Sequence, residues 1–214
     1  MARGRGVSGL VIRAVGGQAL LLEAGSPQAV AALYARLLAE RAAGALGEVA
    51  EIVPAAATVL LDGVAEPAAL AARLATWSVT GAGLPHGPLL AIVTVYDGAD
   101  LPEVAALWGV SPAEAGALHC AVEYRVAFCG FSPGFGYLTG LPPALAVPRR
   151  ATPRPAVPSG SVALAGAYTG VYPRSSPGGW QLLGRTDLVL WDARREPAAL
   201  LAPGVRVRFV PVEG

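Results

Sequence analysis

Hydrophobic and polar positions divide the first third of the chain into two hairpin-like segments, each followed by an amphipathic helix. Short apolar runs broken by Gly or Pro indicate strands, and apolar residues at helical spacing after a Ser-Pro or Glu-Pro start indicate helices. The predicted elements are a hairpin at 10–23 turning at Gly16-Gly17, a helix from Ser26-Pro27 to about Gly44, two strands within 48–61 bent at Pro54, and a helix from Glu66-Pro67 to about Thr76. This order predicts a small sheet covered by two helices.

Residues 77–90 carry the densest Gly/Pro signal before the centre of the chain. Such composition is typical of a linker, so we place a domain boundary near residue 85. The chain then consists of an N-terminal α+β domain at 1–85 and a second domain at 86–214. We expect His86, which falls in the linker, to be a solvated loop residue.

The second domain is predicted to begin with one strand, two helices and another strand. The elements are a strand at 90–95, a helix at 100–108, a helix from Ser111-Pro112 with Glu114 in a capping box, and a strand at 120–129 directly after His119. Asp97, Asp100 and Glu103 form either a carboxylate cluster or a set of turn and cap residues. We favour the second interpretation, because turns and helix starts prefer these residue types.

From Arg149 onward, short apolar runs alternate with Gly/Pro turns. They predict strands at 161–165, 170–172, 180–185, 188–191 and 205–210. Closely spaced short strands are typical of a closed or nearly closed β-barrel, so the whole chain is of the α+β class. In the last strand, Val205, Val207 and Phe209 point inward, whereas Arg206 and Arg208 lie on a solvated face.

The amino-acid composition excludes several classes of active site. The chain is 54% hydrophobic and 14% charged, which is typical of a globular protein. It has no uninterrupted run of about 18 apolar residues and no signal-peptide pattern, so we expect a cytoplasmic location. All 16 basic residues are arginine. A Walker A lysine, a kinase lysine and a Schiff-base lysine are therefore excluded, and a bound anion must meet arginine or backbone N–H groups.

Cysteine and histidine are scarce. Cys120 and Cys129 are the only cysteines, and their separation matches no zinc motif. We expect both to be small buried hydrophobic residues and expect no metal site.

The centre of the chain concentrates positive charge between two Gly/Pro-rich segments, 130–137 and 175–181. From Tyr124 through Arg185 there are six arginines and no Asp or Glu, and three of the arginines lie at 149–154. Glycines let backbone approach a ligand, and arginine holds carboxylate or phosphate with a planar fork of donors. The stretch therefore predicts a site for a small anion. A serine nucleophile is disfavoured, because Pro133 after Ser132 lacks the N–H of an oxyanion hole.

These same residues resemble the carboxyltransferase C/D family, whose members include the B subunit of 5-oxoprolinase, the sporulation-kinase inhibitor KipI and allophanate hydrolase subunit 1. The resemblance is carried by residues 119–138, 147–154, 158–162, 169–173 and 176–186, and extends weakly over the N-terminal domain. Two positions differ from the usual pattern of the family. Gly136 stands where proline is usual, and Ala167-Tyr168 stands where Gly-Gln is usual, which bears on the exact substrate.

The resemblance implies a C-terminal cyclophilin-like β-barrel after the N-terminal α+β domain. It also implies a subunit that, with a homologous C subunit and an A subunit, uses ATP to open 5-oxoproline to L-glutamate. ATP is then bound at the complex rather than by this chain alone. Two alternatives remain open at this point: a KipI-type inhibitor of a sensor histidine kinase, and an allophanate hydrolase-like or urea carboxylase-like subunit.

Candidate site residues follow from the resemblance and the arginine-rich loops. The candidate catalytic residues are His119, as acid or base, with Arg154 and Arg185. The candidate substrate-binding residues are Phe131, Pro133, Gly134, Phe135, Tyr137, Arg149, Arg150, Thr152, Tyr168, Thr169, Ser176, Gly178, Gly179 and Gln181. We expect Arg154→Ala to reduce activity far more than stability, because an exposed loop arginine contributes little to folding.

Overall fold

The computed structural model describes residues 10–47, 49–78 and 87–213, which form two compact units on either side of residues 79–86. His86 and most of the predicted linker lie outside the described residues. The domain boundary near residue 85 stays a prediction. Among the described residues, no helix combines the length and the apolar character that a membrane crossing requires.

The N-terminal unit is a four-stranded antiparallel sheet in the order β1-β2-β4-β3 with two helices. Its elements are β1 (Val11–Val15), β2 (Ala19–Glu23), α1 (Pro27–Ala42), β3 (Glu51–Pro54), β4 (Thr58–Asp62) and α2 (Pro67–Leu74). The Ser26 hydroxyl accepts a hydrogen bond from the Ala29 N–H at 3.1 Å and so caps α1. The predicted small sheet with two helices is confirmed.

The C-terminal unit is built from a seven-stranded sheet, a two-stranded ribbon and two helices. Its elements are β5 (Leu89–Thr94), α3 (Leu101–Trp108), α4 (Pro112–Cys120), β6 (Tyr124–Cys129), β7 (Gly136–Thr139), β8 (Arg154–Val157), β9 (Ser161–Ala165), β10 (Tyr168–Val171), β11 (Ser176–Gly178), β12 (Gln181–Arg185) and β13 (Arg206–Pro211), with a short 3₁₀ turn at Pro143–Leu145. The large sheet runs β12-β9-β10-β7-β6-β13-β5, and β8 pairs with β11 in the ribbon.

The two edge strands of the large sheet approach each other at one point. Val95, directly after β5, and Arg185, at the end of β12, exchange two backbone hydrogen bonds of 2.9 and 2.8 Å. This bridge makes the sheet a nearly closed barrel, which confirms the predicted architecture.

Strands β9 and β10 separate two hydrophobic clusters, because successive side chains point to opposite faces. On the face that we call the core face, Val162, Leu164 and Val171 join the main core with residues of α3, α4, β5 and β13. On the other face, which we call the aromatic face, Ala163 and Tyr172 join a second cluster. Each side chain on β10 therefore packs on either the core face or the aromatic face of the sheet.

Two sequence predictions in this unit are wrong. The strand expected at 120–129 begins only at Tyr124, because the helix α4, started by its capping box, continues through Cys120. The strand expected at 188–191 does not form: Trp191 makes only an isolated antiparallel bridge with Ala199, and Arg195 donates to the carbonyls of Val189 and Leu190 at 3.1 Å. Strands β7, β8 and β11 were missed, because their Gly and Pro content is typical of loops.

The last strand alternates as predicted, but its polar face is paired. Val207 and Phe209 are buried, whereas Arg206 and Arg208 contact Glu123 at 3.2 and 3.0 Å. The expected solvated face is thus an ion-paired one.

Gly184 provides a test of the barrel closure. A Cβ at this position would overlap the carbonyl oxygen of Val95, at the point where the edge strands meet. We expect Gly184→Ala to destabilise the C-terminal unit by about 1–3 kcal/mol in urea unfolding. Gly17→Ala, where a Cβ would meet nothing within 4 Å, should be neutral or slightly stabilising. Equal effects of the two substitutions would contradict the closure.

Candidate functional site

The arginine-rich segment and the second Gly/Pro-rich segment lie side by side. The Arg150 N–H donates to the Gly179 carbonyl at 2.8 Å, and Arg154 pairs with Gly178 in the β8–β11 ribbon. The amide of Gln181 reaches the Pro148 carbonyl at 3.4 Å. These contacts hold the arginine-rich segment, 148–154, against the second Gly/Pro-rich segment, 175–181.

The first Gly/Pro-rich segment joins this assembly through aromatic rings. Phe135 lies 5.4 Å from Trp180 and 5.5 Å from Tyr172, measured between ring centroids, and Tyr137 lies 5.6 Å from Trp180. These edge-to-face contacts are favourable arrangements of aromatic quadrupoles. We call the connected set the aromatic cluster: Phe128, Phe131, Phe135, Tyr137, Tyr168, Tyr172 and Trp180.

One buried carboxylate anchors the arginines. Asp100, with only 3% of its side chain exposed, accepts two hydrogen bonds of 2.8 and 2.7 Å from Arg154. Its Oδ1 also accepts from Arg150 at 2.6 Å, and its Oδ2 accepts from the Leu182 N–H at 2.7 Å. A forked guanidinium–carboxylate pair fixes orientation as well as distance, so Arg154 has little freedom.

The charge of Asp100 is retained despite its burial. Burial alone would raise the pKa of the carboxyl, but the hydrogen bonds from Arg154 and Leu182 and the charges of Arg154 and Arg150 outweigh it, so the pKa lies below its usual range. Asp100 thus faces Arg150 and Arg154, and Glu103 adds a second negative charge near Arg154. A third arginine, Arg149, is exposed beside them in the chain. The cluster keeps a positive excess that can attract an anion.

The interpretation of Asp100 as a helix cap is wrong. The residue occupies the N-cap position of α3 but makes no capping hydrogen bond, because its carboxylate is used by the arginines and β12. Asp97 is likewise engaged, at 2.9 Å from Arg185. The premise that Arg154 is an exposed loop arginine also fails, because 22% of its side chain is exposed and its charge neutralises a buried group.

His119 lies in the core. It is fully buried, with Nδ1 at 2.7 Å from the Tyr96 hydroxyl and Nε2 at 3.2 Å from the Thr169 hydroxyl. The ring of Phe209 lies 4.7 Å away between centroids. Burial lowers the pKa of His119 to about 3, so the ring is neutral at physiological pH.

His119 and the arginines lie on opposite sides of β10. Thr169, the hydrogen-bond partner of His119, points to the core face, whereas its neighbours Tyr168 and Gly170 contact the aromatic cluster. The structure therefore does not bring His119 together with Arg154. A direct acid–base role of His119 at the arginine loops does not fit this geometry.

The remaining candidate residues spread over three settings. Arg185 is an exposed residue at the end of β12, three positions beyond Leu182, and does not join the Asp100 cluster. Thr169 is buried on the core face with His119. The other residues belong to the loops and strands around the aromatic cluster, and those exposed to solvent are Phe131, Pro133, Arg149 and Thr152.

Several polar atoms at the loops are buried and unused. Among the described residues, buried side-chain atoms without a hydrogen-bond partner are Ser132 Oγ, Arg150 Nε, Ser176 Oγ and Gln181 Oε1. All four belong to the three converging segments. Leaving such groups unpaired costs about 1–3 kcal/mol each, which is unusual unless something else satisfies them. The site is therefore equipped to bind a further polar ligand.

Other features of the molecule offer less chemistry. A cavity of about 600 Å³ in the N-terminal unit is lined mainly by Gly, Ala, Val and Leu, with Glu66 and Arg73 as its charged members. In the described part of the chain, no group of three or more His, Cys, Asp or Glu residues could hold a metal ion. Both cysteines are free and half-buried, and burial raises the pKa of Cys129 to about 11.

A family model for the carboxyltransferase domain, subdomain C and D, matches residues 10–201. The chain belongs to this family. The matched residues include parts of both units.

Curated relatives are named as B subunits of 5-oxoprolinase. The protein from Escherichia coli O157:H7 is 51% identical over 138 residues, which are 63% of this chain and 63% of the relative. The protein from Bacillus subtilis is 48% identical over 115 residues, 54% of this chain and 48% of the relative. The chain thus matches less than two thirds of the length of these relatives.

Solved structures agree with the fold. The crystal structure of the protein TTHA0988 is 39% identical, with a TM-score of 0.74, and the match covers 95% of this chain but 40% of the larger one. The urea amidolyase of Kluyveromyces lactis matches 95% of this chain and 15% of its own at a TM-score of 0.70 and 16% identity, which concerns the fold alone. In both, the family fold is part of a longer polypeptide.

Sequence reasoning named Asp100 but missed its role as the counter-charge of the arginines, because the residue lies outside the acid-free stretch. One signal was present. Six arginines without an acid among them, in a chain of net charge +1, require counter-charges from elsewhere. The acids that most closely precede the arginine-rich stretch are Asp97, Asp100, Glu103, Glu114 and Glu123. Asp100 was therefore among the candidates for the missing counter-charge.

Arg154→Ala tests the anchoring role of Asp100. Because the substitution leaves a buried carboxylate without its forked partner, we expect a loss of about 2 kcal/mol or more in the free energy of unfolding, measured with urea. Arg194→Ala removes an arginine whose ion pair with Asp192 lies at the surface, and should leave stability unchanged. A stable Arg154→Ala protein would contradict the anchor.

His119 predicts a pH dependence of stability. The unfolded residue takes up a proton near pH 6.5, whereas the folded one does so only near pH 3. Stability should therefore fall as the pH drops below about 6.5, by up to about 1.4 kcal/mol per pH unit. Tyr96 and Tyr124, which face the ring, have pKa values raised mainly by burial and stay neutral.

Urea unfolding between pH 7 and pH 5 measures this slope. His119→Gln should flatten it, whereas His86→Gln, at the only other histidine of the chain, should retain it. An unchanged slope in His119→Gln would mean that other groups cause the acid sensitivity.

Proposed function

We propose that this chain is the B-type subunit of an ATP-dependent 5-oxoprolinase, which acts with a homologous C subunit and an A subunit. The observation that carries the proposal is the similarity to curated 5-oxoprolinase B subunits, at 46–51% identity over more than half of the chain. The site geometry supports it, because an anionic ring compound needs both a cationic and a flat apolar surface. We place the complex in the cytoplasm, where ATP is available.

The arginines suit the carboxylate of 5-oxoproline. Arg150 gives one guanidinium nitrogen to Asp100 and keeps a buried Nε–H without a partner. A carboxylate on Arg150 and Arg149 would use this donor and the positive excess of the cluster. In this proposal Arg154 acts as a positioning residue, because its fork is already occupied by Asp100.

The aromatic cluster suits the ring of the substrate. Trp180, Phe135 and Tyr172 are buried and form the rigid base of the cluster, and the rings that stay at least partly exposed are Phe131, Tyr137 and Tyr168. Tyr168 adds its ring edge to Phe128 and Tyr137, at 5.6 and 5.7 Å between centroids. A five-membered lactam can lie against such a surface, which excludes water from its amide bond.

ATP supplies a phosphoryl group that activates the lactam when it is bound to the complex. The unpartnered Arg150 Nε–H and the positive charge of the loops fit a phosphate group as well as a carboxylate. The lysine-free chain holds any such phosphate with arginine and backbone donors. We therefore assign the nucleotide to a site shared with the other subunits.

His119 and Arg185 act at a distance from the ligand in this proposal. His119 fixes Tyr96 and Thr169 on the core face and so supports the strand that carries Tyr168. Arg185 stabilises the point where the barrel closes. The names of the curated relatives favour the enzyme subunit over a histidine-kinase inhibitor or a urea carboxylase-like subunit.

Reconstitution tests the proposal. The chain is produced with the C and A homologues of the same genome, and L-glutamate and phosphate are measured with 5-oxoproline and ATP. We expect turnover only when all three chains are present. Arg150→Gln should lower kcat/KM by about tenfold or more, since one charge-assisted hydrogen bond is lost, whereas Arg194→Gln should match the wild type. An assembled complex that leaves 5-oxoproline unconsumed would contradict the proposal.

A further inference from the structure

Phe131, at the tip of the first Gly/Pro-rich segment, has an unusual backbone. Its φ is +68°, and among the described residues it is the only one other than glycine with a positive φ. The Ser132 N–H donates to the Gly130 carbonyl at 2.8 Å, which closes a γ-turn around Phe131. A γ-turn with positive φ at its centre is rare and strained, most of all for a bulky residue.

The surrounding loop holds the strained turn in place. The Gly130 N–H donates to the Phe135 carbonyl at 3.2 Å, and the Phe135 N–H donates back to the Ser132 carbonyl at 3.0 Å. The second bond closes a turn with Pro133 and Gly134 at its centre, where Gly134 has a φ of +83°. The strain is thus fixed by two turns and is not relieved by local rearrangement.

The strain does not serve the core. Phe131 is 58% exposed, and its ring meets only the edge of the aromatic cluster, at 5.3 Å from Phe135 and 6.1 Å from Tyr172. A large apolar side chain held out in solvent gains little from burial. The adjacent Ser132 hydroxyl is buried without a hydrogen-bond partner. The strained backbone of Phe131 and the unpaired hydroxyl of Ser132 therefore both raise the free energy of the free chain, and no contact within it offsets them.

We propose that Phe131 and Ser132 complete the ligand site, with Phe131 as a residue that determines specificity for a small planar ring. The exposed face of the Phe131 ring contacts the ligand, while the ring stays packed on Phe135 and Tyr172. The Ser132 hydroxyl takes from the ligand the hydrogen bond that it lacks in the free chain. This inference rests on the proposed function, because the ligand is the lactam ring of 5-oxoproline.

A ligand explains both features better than a partner chain does. A molecule small enough to touch both residues can offset the backbone strain of Phe131 and form a hydrogen bond with the unpaired Ser132 hydroxyl at the same time. Tyr172, one of the rings that Phe131 contacts, lies against Gly178, which pairs with Arg154 in the ribbon. The proposed ring contact at Phe131 therefore adjoins the proposed carboxylate site.

A pair of substitutions separates strain from ligand contact. Phe131→Ala and Phe131→Gly both remove the ring, but only glycine accepts the positive φ without cost. In the three-chain complex we expect both to raise the KM for 5-oxoproline by about tenfold. In the isolated chain, Phe131→Gly should raise the Tm of the C-terminal unit by about 2–6 °C above that of Phe131→Ala.

Two further variants complete the experiment. Ser132→Ala should also raise KM without lowering the Tm, because no protein hydrogen bond is lost. Leu107→Ala, at a 55% exposed position of α3, should change neither KM nor complex assembly. An active complex in which the Phe131 variants keep the wild-type KM would overturn the inference. So would a normal KM with weakened assembly, since Phe131 would then contact a partner.

The activity of the wild-type complex distinguishes a failure of the proposed function from a failure of this inference alone. An inactive wild-type complex would overturn the proposed function, and this inference with it, before any variant is compared.

Discussion

The hydrogen bonds that converge on Asp100 organise the candidate site. A buried carboxylate is stable only when its charge is balanced and its lone pairs are used. Arg154, Arg150 and the Leu182 N–H meet this requirement together. They thereby tie the start of α3 to strand β12 and to the arginine-rich segment. A loop rich in Gly, Pro and Arg gains a fixed shape in this way, and the buried Nε–H of Arg150 stays without a hydrogen-bond partner within the described chain.

The division of the sheet into two faces decides which residues can share chemistry. Strand β10 gives Thr169 to the core face and Tyr168 to the aromatic face, so a buried neutral histidine supports one side while the arginines serve the other. The same division explains why His119 and Arg154, which the family resemblance suggested together, are separated. The ligand site that we propose needs only the aromatic face, the arginine segment and the turn at Phe131.

The sequence predicted the elements that have a clear hydrophobic periodicity. It did not predict the short strands, or the contacts that single side chains make over long distances in sequence. Ser26-Pro27 and Ser111-Pro112 located two helices, because caps and first-turn prolines act locally. The short strands β8 and β11 escaped, since their pairing depends on contacts distant in sequence. Asp100 was taken for a cap, because its arginine partners lie about fifty residues further along the chain. The convergence of the three central segments was predictable from composition; the side of the sheet occupied by His119 was not.

The most direct test of the account is a crystal structure of the three-chain complex with 5-oxoproline bound. The account predicts that the carboxylate lies within hydrogen-bond distance of the Arg150 guanidinium, with the lactam ring against the exposed face of Phe131. Asp100 should keep its contacts with Arg154 and Arg150. A ligand held only by the other subunits, or on the core face beside His119, would contradict the account.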